Sequence, residues 1–135
     1  MSRDPLDSYR VFEENVKKHA VLVRKAMRLL DKVSRDPSDN EAQEMLVKTL
    51  NRLRTVRARI NSHAPDLSGL QGVLQEDAET LMEYMILVGL QDEMEVLSRA
   101  IQLGSNGARL LEEEKQALLR DREEIVRVMK RLIRP

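Results

Sequence analysis

Apolar residues recur at helical intervals in four separate runs of this chain, and that recurrence confines it to an all-α fold. In the first run Tyr9, Val16, Val23 and Leu30 stand seven apart on one line, with Phe12, His19, Ala26 and Val33 on the adjacent line. Both lines share one helix face. Leu22, Leu29, Ala20 and Met27 widen that face beyond a two-stranded seam, which predicts a bundle whose first helix has more than one neighbour. The second run repeats the pattern with Leu46, Leu53 and Ile60 beside Ala42, Thr49 and Val56. In the third, Leu81, Met82, Met85, Ile86, Leu87, Val88 and Leu90 are apolar nearly all round, predicting deep burial. The fourth has Leu111, Leu118, Ile125 and Leu132 on its main line, supplemented by Leu110, Leu119, Val128, Met129 and Ile133. Aromatic residues are only 2% of the chain, so such a core must be built from aliphatic side chains and methionine.

Start and stop signals set the boundaries. Asp4-Pro5 reads as an N-cap followed by proline at the first helical position. Ser38 with Glu41 three residues on reads as a capping box after the Asp36-Pro37 break, and Pro65 stops the second helix near His63. From Asp66 to Leu103 a single helix would reach about 57 Å, longer than its predicted partners. Gly69 and Gly72 therefore assign Leu67 to Gln75 to a loop or one short helix, with Gly89 as the rival break. Gly104-Ser105-Asn106-Gly107 ends the third helix and restarts the chain, Ser105 or Asn106 being the next cap. The expectation is an antiparallel, up-down-up-down four-helix bundle in a single domain, 1–135. Its helices span about 5–34, 38–63, 76–103 and 107–134, with a short extra helix or loop between the second and third.

Charge is segregated along the chain although the formal net charge is zero. Between Arg59 and Arg99 stand Asp66, Glu76, Asp77, Glu79, Glu83, Asp92, Glu93 and Glu95 without a Lys or Arg, while Lys48, Arg52, Arg54, Arg57 and Arg59 run without an acid between them. The two segments are expected to lie side by side as a salt-bridged flank. A nucleic-acid surface is the alternative for the arginines. Against it stand their spread around the helix, the neutral chain and the shortage of aromatics to stack on bases.

No residue pattern specifies catalysis. His19 lies on the inward line beside Lys17, Lys18 and Ala20, without a second ligand three or four residues away, so it is expected in the core rather than on a metal. His63 reads as a helix C-terminal residue favoured by the dipole. Glu112, Glu113, Glu114, Glu123 and Glu124 lack the Glu-x-x-His partners of a di-iron bundle. No catalytic, cofactor-binding or metal-ligating residue is therefore assigned. The chain has no Cys, its start lacks an apolar signal core, and no stretch reaches the ~18 to 20 apolar residues of a membrane span, which together predict a soluble, cytoplasmic protein. The expected function is that of a non-catalytic protein-protein interaction module, an adaptor, assembly or regulatory subunit. It would bind a partner helix or a second copy through Leu111, Leu118, Ile125 and Leu132, flanked by Arg52, Arg54, Arg57 and Arg59. The alternative function is nucleic-acid binding through the basic second helix.

Overall fold

Asp4 opens the first helix: its carboxylate accepts the Leu6 amide at 2.9 Å, and Pro5 fills the first turn, where its missing N–H costs nothing. The computed structural model describes residues 3–104 and 108–133. Helix α1 (Pro5–Arg35) is followed by α2 (Asn40–His63), a 3-10 segment (Ala64–Gly69), α3 (Val73–Tyr84), a π-helical turn (Met85–Gly89), α4 (Leu90–Gln102) and α5 (Ala108–Ile133). Since α3, the wide turn and α4 are continuous, there are four long helical runs, and no strand occurs among the described residues.

Helix α2 starts later than the capping box implied. Asp39, not Ser38, is the cap, accepting the Ala42 amide at 3.0 Å. Ser38 is used one step earlier, its amide and hydroxyl both turned onto Asp36 in a tight Asx-type turn. The third run begins at Val73 rather than 76, because Gly72 takes a positive φ of 65° that lets the chain turn directly into helix. At Gly89, the rival break point, the helix widens and is not interrupted. The Leu90 amide reaches back five residues to the Met85 carbonyl, and the Ile86 carbonyl accepts Arg122 Nε at 3.4 Å. Uniform burial of this run is not found: Leu87 and Val88 are exposed, while Met82, Met85 and Leu90 are fully buried. The restart proposed for Ser105 or Asn106 lies outside the described residues.

Buried side chains form one contiguous cluster drawn from every run. Helix α1 packs extensively on α2 and also on α4; α5 packs on α4 and α3 and meets α2 sparingly. The 3-10 segment touches α1, α2, α3 and α5, closing one end, and contributes Ala64 and Leu67 to the core, followed by Leu70. Each fully buried Leu, Ile or Phe here contributes about 1.5–3 kcal/mol of apolar burial.

Candidate functional site

Three ionisable side chains interrupt the apolar lines on inward positions: His19 of α1, Arg57 of α2 and Glu93 of α4, each no more than 1% exposed. Burial without partners would cost several kcal/mol apiece, and the fold brings them together instead. His19 Nε2 donates to Glu93 Oε1 at 2.7 Å, and Glu93 Oε2 accepts Arg57 Nη1. The guanidinium then extends to α5, donating through Nη2 to Glu114 Oε1 and through Nε to Asp121 Oδ2 at 2.7 Å. Burial pulls Arg57 toward a lower pKa, but the charge of Glu93 and the hydrogen bonds to Glu114 and Asp121 outweigh it and hold the group above its ordinary value. Three carboxylates thus converge on one guanidinium, which fills the centre of their charge as a metal ion does elsewhere. Asn61 adds a bond to the Asp121 carbonyl at 3.1 Å. Gly89 packs close to this site: a Cβ there would stand 2.9 Å from Met85 Sδ, which would have to shift, and in ordinary contact with His19 Nδ1 at 3.5 Å.

The residues assigned from sequence are divided by the structure. Leu118 and Ile125 are fully buried and Leu132 nearly so, packed into the chain's own core, with Leu111 half-buried beside them. The stripe assigned to a partner is therefore spent inside the molecule in this conformation, because α3, α4 and α2 already cover it. Arg57 is likewise an internal residue and not a contact. Arg54, exposed, stands 4.0 Å from Glu114, whereas Arg52 and Arg59 are exposed on the other flank of α2. The salt-bridged flank expected between the basic and acidic segments reduces to one buried pair, Arg57 with Glu93. On α5 the pairing found is Arg127 with Glu124 at 2.7 Å. His19 is a core histidine, as its line implied, and its carboxylate partner comes from 74 residues away.

A second polar cluster joins the start of α1 to the end of α2. Ser8 donates to Asp66 at 3.1 Å, Arg3 Nε stands 3.6 Å from the same carboxylate, and Arg3 Nη1 lies 2.8 Å from the His63 ring nitrogens. Burial first, then the Arg3 charge, lower the His63 pKa from 6.5, against a weaker opposing pull from Asp66. The unfolded chain therefore binds this proton more readily than the folded one. His63 subtracts stability as pH falls below about 6.5, and the loss levels off once the folded-state group has charged. Thermal melts at pH 7 and pH 5 should show a smaller acid-side loss in His63→Gln than in the parent chain.

Where α5 begins, it and α2 leave an apolar groove of about 610 Å³. Leu46, Leu50, Ala100 and Leu111 form its floor; Val47, Leu103 and Leu110, all exposed, form its mouth. Among the described residues no group of three or more His, Cys, Asp or Glu side chains is placed to hold a metal ion, and no helix is long and apolar enough to cross a membrane.

Fold and site together define a class: an all-helical bundle pinned by a buried His–Glu–Arg network. The chain matches no family model, no curated protein and no solved structure.

Proposed function

We propose that this chain is a non-catalytic protein-protein interaction module, an adaptor, assembly or regulatory subunit, built on an up-down-up-down bundle. The directions are supported by side-chain pairs. His19 with Glu93 and Asp31 with Arg99 align α1 with α4, while Arg122 with Ile86 and Gln75 with Leu132 oppose α5 to the run before it. In this arrangement the neighbours α1 and α4 run parallel, and the 3-10 segment carries the chain diagonally across the end of the bundle.

The observation that carries the functional reading is the groove. Large aliphatic side chains are left in water at its mouth, at the one seam where α2 and α5 meet sparingly. Its occupant is an amphipathic helix of a partner protein, seated by aliphatic anchors spaced three and four apart. A photo-crosslinking residue at Val47 should capture one protein in the source cell, while the same residue at Val73, equally apolar and more exposed, captures none. That protein, purified, should bind the parent chain and lose at least tenfold in affinity to Leu110→Asp. Equal capture at both sites, or unchanged affinity for Leu110→Asp, overturns the reading; capture of the chain itself replaces the partner with a second copy.

A further inference from the structure

The outward face of α1 carries a line of positive charge that no local motif announces. Arg10, Lys17, Arg24, Arg28 and Arg35 follow one another at intervals of seven, seven, four and seven residues, so they share one ridge, opposite the buried line of His19. All five are exposed. The ridge is about 37 Å long at 1.5 Å per residue. Only Lys17 has a carboxylate within reach, Glu13 at 3.9 Å; among the described residues the four arginines have none within 4.0 Å. On α2, Lys48, Arg52 and Arg59 fall by helical spacing on the flank opposite Leu50 and Arg54, in one line with the acid Glu41. Along the run that packs on the other flank of α1 the balance reverses, and its Asp92 lines a small pocket with Arg24 at the edge of the ridge. From 73 to 102 there are seven acids, Glu76, Asp77, Glu79, Glu83, Asp92, Glu93 and Glu95, against Arg99 alone.

We propose that this face of α1 docks on the phosphate backbone of a double-stranded nucleic acid. A straight row of unpaired guanidinium groups on a rigid helix matches a rigid rod carrying charge at fixed spacing, and guanidinium groups bind phosphate oxygens through paired N–H donors. Single strands are disfavoured, because they are held by stacking on exposed aromatic rings. Here Tyr9 and Phe12 are buried, and Tyr84, which lines a small pocket beside Arg24, is half-buried and packed against the core, so no open ring stands along the ridge. An anionic membrane is disfavoured because, among the described residues, Leu6 and Val21 are the large apolar side chains exposed on this face of α1, too little to enter a bilayer. The acidic run at 73–102 repels phosphate and limits contact to the one face. Contact is to the backbone, so it reads shape and charge without base sequence. The proposal stands on a different surface from the groove and is independent of it.

Fluorescence anisotropy with a labelled duplex of about 20 base pairs, roughly twice the ridge in length at ~3.4 Å per step, tests it. Both DNA and RNA duplexes should bind, with affinity falling on the order of 10² to 10³-fold between about 50 and 200 mM salt if the five ridge cations each neutralise a phosphate. Arg24→Glu/Arg28→Glu should weaken binding at least tenfold and flatten the salt dependence, with an unchanged circular dichroism spectrum because both side chains are exposed. Lys130→Glu/Arg131→Glu on α5, which changes net charge equally, should bind as the parent does. The proposal is overturned if no duplex binds at about 50 mM salt, or if both double variants lose affinity equally. It also fails if a single strand of the same length, polyglutamate or phosphatidylserine vesicles bind as tightly as the duplex.

Discussion

Glu93→Ala is expected to destabilise the protein by about 3–5 kcal/mol, because it removes the one carboxylate shared by His19 and Arg57, leaving a buried N–H of each without a partner and the Arg57 charge with only the partly exposed Glu114 and Asp121. For a chain of this size that is a fall of roughly 10–20 °C in Tm. The cost arises from breaking the network, not from its net worth. Removing all three buried groups together, as His19→Leu/Arg57→Met/Glu93→Leu, should recover most of the loss, since a packed apolar replacement avoids the desolvation that the ion pairs must offset. Glu114 and Asp121 then turn to water, which they already meet at their partly exposed edges. A loss below about 1 kcal/mol for Glu93→Ala, or no recovery in the triple variant, would show that the network is solvated or that its members pack in some other way.

The second large effect is expected at Leu67, which lies in the 3-10 segment yet is fully buried. Leu67→Ala should cost about 2–5 kcal/mol in urea unfolding, while Leu67→Met, nearly equal in volume, should cost less than about 1.5 kcal/mol. The segment closes the end of the bundle against α1, α2, α3 and α5, so a cavity there has little mobile chain available to fill it. Equal small losses for both substitutions would place the segment outside the core.

Leu67 also shows where the sequence was readable and where it was not. Long amphipathic runs declare themselves, because seven-residue spacing is local: α1 could be drawn from Pro5 onward by its cap and its two inward lines. A core residue in a six-residue segment has no period to reveal it, and Gly69 and Gly72 made its surroundings look like a surface connection. The buried network was half visible. His19 was legible on an inward line, where a polar group must find a partner, whereas Arg57 and Glu93 read as members of charged flanks. Which partner it finds depends on how runs separated by 74 and 36 residues pack, and local spacing does not encode this. The stripe of α5 misled for a related reason. Its charged flanks gave the appearance of a free-standing helix, whereas Glu114 and Asp121 point inward to Arg57 and draw α2 over the stripe.

The wide turn at Met85–Gly89 has a further effect downstream. Ala78, Met82, Ile86 and Leu90 are spaced four apart and all buried, a spacing that in a regular helix would wander about 40° at every step. One surplus residue held in the turn absorbs that drift and re-phases everything after it by about 100°. The inward aim of Glu93 is thus inherited from an insertion-like irregularity a few residues earlier. Deleting a residue between 85 and 89 would straighten the helix, swing the carboxylate away from both its partners, and leave a smoother backbone on a less stable molecule.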